Sequence, residues 1–477
     1  MNQDFNNFLS PFSWRYASSE MRVLFSEKNK RTKWREIWYA LALSQYEYGL
    51  ISKSELNNIK KFSSSNSVNI NRSLAFEKKI RHDLMSEIKT FASQAKKGGG
   101  KIHLGATSMD IEDNADILII REALLIILEK TVDCLDLLSQ KIKSYSNTVC
   151  MGWTHIQPAE PTTLGYRFSI YAQDLFLDIK NIEFILENFA FGKGIKGAVG
   201  TSASYQRLLG KNPQNFEDAI MKKLNVKSFL ISSQTYPRKV DFLILSALSS
   251  LAQSLHKFSI DFRILQSPPF GEFKEPRRKY QVGSSAMPFK RNPMMSERIS
   301  SLTRYVSSFL SVAHSNASNS ILERTLDDSA NRRMIIPESF LALDECLMIY
   351  SKILSGMEIS QNSINKNLNA YGPFALIEPI MMDLSKQGKN RQSLHEEFRK
   401  ISLKAWNEVE LGNPNPLFEL ISKNKTLSKY SFNIKDLSDY SKYVGNAPDR
   451  ALLLRKSISP ILKKYKNRPK RKSEPSY

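Results

Sequence analysis

The sequence Ile117-Leu-Ile-Ile-Arg-Glu-Ala-Leu-Leu-Ile-Ile-Leu128 decides the fold of this chain. Its apolar residues cover nearly the whole circumference of a helix, whereas a helix on a protein surface is apolar along one stripe only. A helix of this kind in a soluble protein is buried among other helices. If it opens at Asp113-Asn114 and continues to about Tyr145, it is about 50 Å long at 1.5 Å per residue. The stretch therefore predicts a bundle of long helices.

Other long helical patterns support the same fold. One runs from about Thr162 to Phe191, another begins after Pro237, and a further one ends at about Met357. In the helix after Pro237 the apolar positions step by three and four residues, which is the spacing of a helix face packed into a core. Strand signals are almost absent throughout the chain. We therefore predict an all-α fold.

The length and the breaks of the chain indicate three domains. A chain of 477 residues is longer than one compact core usually holds. Beyond Ser360 the helical patterns become shorter and are broken by Gly372-Pro373 and by Gly412-Asn413-Pro414. We expect an N-terminal helical domain over residues 1–107, a central long-helix domain over 108–359, and a small C-terminal helical domain with a basic tail over 360–477.

Composition narrows the possible partners and the compartment. The net charge of +22 fits nucleic acid, an acidic membrane surface or a small polyanionic substrate, and part of it lies in the tail at Lys463–Lys472, which we interpret as a solvated end. The three cysteines have no metal-ligand spacing and fit a reducing compartment. The amino terminus lacks a signal-peptide pattern, and no apolar run approaches the roughly 18 residues of a membrane span. We expect a cytoplasmic protein without a membrane partner.

Polar segments fall at the breaks between the long helices. The segment Gln281–Pro293 carries two serines, a lysine and an asparagine, and Pro288 and Pro293 exclude it from a helix interior. By itself it is either the loop of a functional site or an ordinary basic surface loop. Arg15 beside Tyr16 likewise fits either a phosphate contact or a plain aromatic anchor.

Taken together, these segments favour acid–base chemistry on an anionic substrate. They contain His82, His155, Ser284, Lys290 and Glu297, several arginines, and no metal ligand set. Proton transfer needs an acid and a base at different positions, and arginine binds carboxylates and phosphates through two parallel hydrogen bonds.

The segment Gly283–Pro293 resembles the signature loop of the fumarase and aspartase superfamily, whose members eliminate fumarate from succinyl-type substrates. Other motifs narrow this resemblance to the branch that cleaves succinyl-purine nucleotides, and the likeness runs from about Pro11 to about Lys464. These motifs are Arg15–Ser18, Arg81–Asp83, His103–Ser108, Thr154–Pro158, Ser233–Tyr236 and Glu323–Arg333.

The resemblance implies a fold and a reaction. The fold is a three-domain, all-α fold whose central long helices assemble into the core of a homotetramer, with each site shared between three subunits. The reaction is the β-elimination of fumarate from adenylosuccinate, giving AMP, and from succinylaminoimidazolecarboxamide ribotide, giving the carboxamide ribotide. The resemblance implies a small anionic substrate, no cofactor, no metal and no nucleic-acid partner.

The resemblance also implies roles for individual residues. Ser284 is the general base for the succinyl β-carbon, His155 is the general acid for the leaving nitrogen, and Glu297 pairs with His155. Lys290 and Asn292 hold the carboxylate whose charge grows during the reaction. The substrate-binding residues are Arg15, Tyr16, Arg81, His82, Asp83, Thr107, Ser108, Thr154, Gln234, Ser285, Arg298, Arg324, Ser329 and Arg333.

Three other interpretations remain to be weighed. Argininosuccinate lyase or another superfamily member shares the predicted fold, but Arg15–Tyr16 and Glu323–Arg333 speak against it. A structural or binding protein on a retired lyase scaffold would have lost Ser284, His155 or Lys290, and all three are present. A basic helical RNA-binding protein is indicated by charge alone and lacks aromatic base-stacking motifs.

Overall fold

A computed structural model of the chain describes residues 5–210, 212–277, 279–425, 427–428 and 438–468. The described residues are mostly helical, and the predicted all-α bundle of long helices is confirmed. The basic tail lies outside the described residues from Pro469 onward. The helices are α1 (Ser19–Leu24), α2 (Glu27–Glu47), α3 (Lys53–Lys61), α4 (Ile70–Ile80), α5 (Asp83–Gln94), α6 (Ser108–Ser144), α7 (Leu164–Asn188), α8 (Ala203–Leu209), α9 (Pro213–Lys223), α10 (Lys239–Gln266), α11 (Met294–Ser308), α12 (Leu310–Ser318), α13 (Ser329–Gly356), α14 (Gln361–Ala375), α15 (Ile377–Lys386), α16 (Arg391–Glu410), α17 (Leu417–Lys423) and α18 (Ala447–Lys464).

Helix α6 is the centre of the bundle. It has 37 residues, so it is about 55 Å long at 1.5 Å per residue. Its apolar residues between Ile117 and Leu128 are almost all buried, as the sequence predicts. The helix begins at Ser108, five residues before the predicted start at Asp113, because the side chain of Asp110 accepts a hydrogen bond from the amide of Thr107 (3.0 Å) and ends the preceding loop there.

Helix α7 runs antiparallel to α6. The amide of Gly165, at the start of α7, donates to the carbonyl of Tyr145, which follows the end of α6 (2.8 Å). Arg121, near the start of α6, donates to the carbonyl of Leu186 at the end of α7 (2.8 Å). The two helices therefore pack side by side over most of their length.

Helices α10 and α13 run in the same direction as α6. Next to the start of α10, Arg238 forms an ion pair with Asp113 of α6 (3.1 Å), and Arg332 at the start of α13 lies 3.4 Å from Asp116 of α6. We call the end of the bundle where α6, α10 and α13 begin the amino end, and the opposite end the carboxyl end. Every long helix thus carries one terminus to each end, and the loops between them lie at one end or the other.

A β-hairpin lies at the carboxyl end, where the sequence shows no strand signal. Strand β1 (Val149–Thr154) pairs antiparallel with β2 (Gln157–Thr163), and a second short pair joins β3 (Phe273–Lys274) to β4 (Glu358–Ile359). The hairpin turn consists of His155 and Ile156 alone. The segment interrupts the helical pattern, as the sequence indicates, but its pairing as a hairpin was not predicted.

The N-terminal helices are joined by a buried group of charges. Glu87 of α5 accepts hydrogen bonds from Arg35 (2.7 Å) and Arg31 (3.3 Å) of α2, and all three side chains are almost fully buried. This contact holds the start of α5, which carries Asp83, against α2. It positions one of the predicted substrate-binding segments.

Replacing Glu87 by glutamine should destabilise the protein by about 3–5 kcal/mol, because it leaves the buried guanidinium of Arg35 without a carboxylate and removes one of the carboxylate partners of Arg31. Thermal unfolding followed by circular dichroism measures the effect. The control is Glu36→Gln, which removes one of the two exposed carboxylate partners of Lys33 (3.2 Å) and should cost less than about 1 kcal/mol. Equal effects of the two substitutions would show that the Glu87 contacts do not hold α5.

The C-terminal helices form two groups. Helices α15 to α17 bury a core of their own, whose residues run from Leu376 to Leu427. Helix α18 instead packs on α6 and α7, and its Arg455 donates to the carbonyl of Ser139 (3.2 Å). The division of the chain at residues 107 and 359 stays a prediction. Among the helices of the described ranges, none is long and apolar enough to cross a membrane.

Candidate active site

The segment Gly283–Pro293 forms a loop that closes on itself. The side-chain amide of Asn292 donates to the carbonyl of Gly283 (3.0 Å) and joins the two ends of the loop. A Cβ atom at position 283 would lie 2.2 Å from the carbonyl oxygen of Lys290, so only glycine allows this approach of the two backbone segments. The loop therefore has a defined conformation, with Ser285 and Lys290 exposed and Ser284 partly buried.

Ser284 sits in a cradle of backbone donors. Its Oγ accepts hydrogen bonds from the amides of Ala286 (3.3 Å) and Met287 (3.0 Å). Hydrogen bonds to the charged form of a group favour that form, so two amide donors stabilise a serine alkoxide. Ser285 lacks an equivalent pair of donors, because the residue three positions after it is Pro288, which has no amide hydrogen.

Glu275 anchors the loop to the bundle. Its carboxylate accepts hydrogen bonds from the amides of Met295 (3.1 Å) and Ser296 (2.7 Å), and so it caps the start of α11. Burial raises the pKa of this carboxyl, although these hydrogen bonds act in the opposite direction. No local pattern in the sequence marks Glu275 as a cap, because it lies 20 residues before the first amide that it binds.

His155 and Thr154 lie at the tip of the β1–β2 hairpin. His155 and Ile156 both have positive φ, of 54° and 61°, and together they form the two-residue turn. This conformation turns the chain within two residues and leaves Thr154 and His155 exposed. Ile156 lines a groove of about 870 Å³ together with Lys290, Asn292 and Glu297. The carboxyl end thus gathers all five predicted catalytic residues or their immediate neighbours.

At the amino end, Thr107 and Ser108 lie at the start of α6. Asp110, one turn later, accepts hydrogen bonds from the amides of Thr107 (3.0 Å), Lys196 (3.1 Å) and Gly197 (3.1 Å), and from the ammonium of Lys193. These contacts tie the glycine-rich loop after α7 to the helix terminus. Asp110 therefore fixes the positions of Thr107 and Ser108. The start of a helix presents free backbone amides, so these two residues lie where an anion is favoured.

A cavity of about 220 Å³ opens at the same end. It is lined by three of the predicted substrate-binding residues, Arg324, Ser329 and Arg333. Arg333 donates to Asp83 (2.6 Å); burial alone would raise the pKa of this aspartate, but the hydrogen bond from Arg333 outweighs it and lowers the pKa. The cavity therefore combines the hydroxyl of Ser329 with arginine side chains, of which four are among its lining residues.

Arg81 and His82 lie at the junction of α4 and α5, beside Asp83. Arg81 ends α4 in the left-handed region (φ 56°), and the His82 ring accepts a hydrogen bond from the amide of Met85 (3.3 Å) at the start of α5. Both side chains are exposed. The junction thus directs them to solvent at the amino end of the bundle.

Gln234 lies at the amino end as well. Its backbone amide donates to the backbone carbonyl of Glu323 (3.1 Å), so the segment before α10 runs beside the segment before α13. Arg238 holds the two together, because it binds Asp113 (3.1 Å) and Asp328 (2.5 Å) while almost fully buried. Arg238, Asp113 and Asp328 lie more than 80 positions apart, so no local pattern in the sequence connects them.

Arg15, Tyr16 and Arg298 form a third group on the side of the bundle. Glu345 of α13 accepts hydrogen bonds from the amide of Ala17 (3.1 Å) and from Arg298 (3.3 Å). The guanidinium carbon of Arg298 lies 5.6 Å from the centre of the Tyr16 ring. Glu345, a buried carboxylate that no motif in the sequence marks, therefore positions both segments.

One chain does not bring all of these residues together. The loop and the hairpin tip lie at the carboxyl end, where α13 ends beside the loop, whereas Thr107, Ser108, Gln234, Arg324, Ser329 and Arg333 lie at the amino end. The length of α6, about 55 Å, separates the two ends. A small substrate cannot contact both groups on the same chain.

A bundle of long helices with polar residues at both ends is the arrangement that the family comparisons below explain. The lyase family model matches residues 16–307, so the chain belongs to the lyase family. The model of the adenylosuccinate lyase C-terminus matches residues 373–451. The chain is 38% identical to the adenylosuccinate lyase of Schistosoma mansoni, over 97% of this chain and 98% of that protein. It is a member of the adenylosuccinate lyase family.

Further comparisons agree with this family and fold. The adenylosuccinate lyase of Saccharomyces cerevisiae is 36% identical, over 94% of each chain. The crystal structure of a β-carboxy-cis,cis-muconate cycloisomerase from Acinetobacter calcoaceticus superimposes with a TM-score of 0.82 at 21% identity, covering 94% of this chain and all of that one. A fumarate lyase from Mesorhizobium gives 0.81 at 22% identity, covering 94% of this chain and 99% of that one. These two structures share the fold.

Proposed function

We propose that this protein eliminates fumarate from adenylosuccinate, giving AMP, and from succinylaminoimidazolecarboxamide ribotide, giving the carboxamide ribotide. It acts as a carbon–nitrogen lyase by acid–base catalysis and uses no cofactor. The observation that carries the proposal is the pair of backbone amides that donate hydrogen bonds to the Oγ of Ser284. Because the chain belongs to the lyase family, the loop that carries Ser284 is the expected reaction site.

Ser284 removes the proton from the β-carbon of the succinyl group. Serine is a poor base at its ordinary pKa, so it needs donors that favour the alkoxide and a site that excludes water. The two amides supply the donors. Phe289 in the loop, and Tyr280 and Val282 just before it, are 81%, 87% and 71% exposed. Their burial against a neighbouring surface stabilises a closed loop that keeps water out.

Lys290, Asn292 and His155 complete the elimination. Loss of the β-proton places negative charge on the adjacent carboxylate, which the ammonium of Lys290 and the amide of Asn292 stabilise. The carbon–nitrogen bond then breaks as His155 protonates the leaving nitrogen, and fumarate and AMP result. Glu297 pairs with His155 and orients its ring. Ser284 returns its proton to solvent after the products leave.

The remaining predicted residues bind the anionic parts of the substrate. Arg324, Ser329 and Arg333 around the amino-end cavity, with Thr107 and Ser108 at the start of α6, supply donors for a phosphate. Arg81, His82, Asp83, Gln234, Arg15, Tyr16, Arg298, Thr154 and Ser285 supply further contacts. The positive charge of the chain favours the approach of such a substrate.

We further propose a homotetramer with each site shared between three subunits. The separation of the carboxyl-end and amino-end groups within one chain supports shared sites, since a second copy running in the opposite direction places its amino end beside the first copy's loop. On α7, Ile170, Leu177 and Phe184 recur at seven-residue spacing and are 45%, 57% and 52% exposed. Such a stripe fits the packing of a helix from another copy.

The proposal includes the domain division and the compartment. Residues 1–107 supply substrate-binding segments, residues 108–359 supply the bundle with the loop, and residues 360–477 form the small helical domain. The protein acts in the cytoplasm, and the three buried, unpaired cysteines Cys134, Cys150 and Cys346 are in keeping with a reducing compartment.

Purified protein should release fumarate from adenylosuccinate with a kcat on the order of 1–1,000 s⁻¹, the usual range for enzymes. Chromatography that separates fumarate, AMP and the remaining substrate measures the release. Argininosuccinate under the same conditions should give no fumarate. Release from argininosuccinate alone would replace the proposed function by that of the related lyase, and release from neither by well-folded protein would exclude it.

A further inference from the structure

The cavity at the amino end contains a carboxyl group that the proposed reaction leaves without a role. Besides Arg324, Ser329 and Arg333, the cavity is lined by Glu112 and Asp116, which lie one turn apart on α6. The side chain of Glu112 is partly buried. A carboxylate beside a phosphate-binding group opposes binding through its charge, so its presence there needs an explanation.

The other charged groups of the cavity already have partners. Arg324 donates to Asp328 (3.0 Å), Arg333 donates to Asp83 (2.6 Å), and Asp116 lies 3.4 Å from Arg332. In the described ranges, by contrast, Glu112 makes no hydrogen bond. Its polar atoms therefore face the cavity with their hydrogen-bonding capacity unused, in a place where a ligand can satisfy it.

We propose that Glu112 is a nucleotide-binding residue, whose protonated carboxyl donates a hydrogen bond to the nucleotide part of the substrate held between Arg324, Ser329 and Arg333. This inference rests on the proposed function. The proton-transfer residues lie on the loop and the hairpin, so the succinyl group reacts there and the nucleotide extends toward the amino-end cavity of a neighbouring copy. A phosphate or ribose oxygen accepts the hydrogen bond.

The surroundings of Glu112 favour its protonated form. Burial, followed by the charges of Asp83 and Asp116, raises the pKa of Glu112 to about 8, while Lys30 acts in the opposite direction. At neutral pH the group is therefore a neutral donor, and it becomes a repelling carboxylate as the pH rises through 8. The charged groups that face it from the packed elements are Glu27 and Lys30 of α2, Asp83 of α5, Asp113 and Asp116 of α6, Arg238 before α10, Arg324 before α13, and Arg332 and Arg333 of α13.

AMP binding to the assembled protein tests the proposal. Isothermal titration calorimetry between pH 6.5 and 9.5 should show that the Kd of the wild-type protein rises about tenfold from pH 7 to pH 9, as expected for loss of one proton with a pKa of about 8. Glu112→Gln keeps a donor and does not titrate, so its Kd should stay low and nearly constant. Glu112→Ala should bind AMP about tenfold more weakly at pH 7, since a hydrogen bond to a charged ligand is lost.

The control is Glu129→Gln, which lies on the same helix outside the cavity and should leave the wild-type pH dependence of AMP binding unchanged. Size-exclusion chromatography and thermal unfolding establish that each variant remains folded and assembled. The proposal fails if Glu112→Gln keeps the wild-type pH dependence, or if Glu112→Ala binds AMP as tightly as wild type at pH 7. Because wild-type fumarate release is measured separately, either result leaves the proposed function standing, whereas an inactive wild type overturns that function instead.

Discussion

Ser284→Ala should lower kcat for adenylosuccinate cleavage by at least about a thousandfold, the scale expected when a general base is removed. The substitution removes the one side-chain oxygen that the amides of Ala286 and Met287 hold. It should leave the Kd for substrate within a few fold of the wild-type value, because the arginines and the start of α6 are untouched. Single-turnover kinetics at saturating enzyme separate the two effects.

The matched control is Ser285→Ala, which removes a hydroxyl from the adjacent, exposed position of the same loop. We expect a change of less than about tenfold, mainly in KM, since one hydrogen bond contributes about 0.5–1.5 kcal/mol. If Ser284→Ala retains near-normal turnover while Ser285→Ala does not, the base is the second serine, and the cradle around Ser284 only shapes the loop.

Two inactive variants should regain activity when they share an assembly. Ser284→Ala damages the carboxyl end and Arg333→Leu damages the amino end, and each variant alone should have less than about 1% of wild-type activity. If each site takes its loop from one copy and Arg333 from another, random mixing leaves about a quarter of the sites with both residues intact. Co-expression with two different affinity tags, followed by sequential purification, isolates the mixed assemblies for the fumarate assay.

The control for this experiment is a chain that carries both substitutions, co-expressed with either single variant. Its loop and its cavity are both defective, so assemblies with Ser284→Ala contain no intact loop and should remain inactive. Activity of the mixed assemblies near the level of the single variants would mean that loop and cavity of one chain serve the same site, and that the shared-site proposal is wrong.

Helix α6 shows how far the sequence predicts this fold. Its all-round apolar residues indicate burial, and the structure buries most of them, although Leu125 is 42% exposed. Its first turn was missed because Asp110 ends the preceding loop through contacts with Lys196 and Gly197, which are more than 80 residues away. The burial of α6 can thus be predicted from its own residues, whereas the position of its first residue depends on contacts with a distant loop.

The hairpin at His155 was not predictable from local signals. Two-residue hairpin turns favour asparagine and glycine, which adopt positive φ easily, and here His155 and the β-branched Ile156 occupy these positions. Tertiary contacts hold the strands instead: Trp153 packs edge-on against Phe270, with ring centres 4.7 Å apart, and Arg167 donates to the carbonyl of Met151 (2.6 Å). Local preference was overridden by packing at the carboxyl end.

The candidate site was predictable as a set of residues, but its arrangement was not. The serines, His155, Lys290 and the arginines stand out at breaks between helices. Their division between two ends depends on the direction of each helix, which residue patterns leave open and which contacts such as Arg121 with Leu186 reveal. The amide cradle of Ser284 likewise depends on backbone geometry that Gly283 and Asn292 impose.

If each site is shared between copies, as proposed, the length of α6 makes the activity of this protein depend on its concentration. A monomer then has a loop and a cavity of its own, but each needs its counterpart on another copy to complete a site. Diluting the protein below the dissociation constant of the assembly should therefore switch catalysis off without unfolding any chain. Under the proposed sharing of sites, the cellular concentration of the chain is itself a condition of activity.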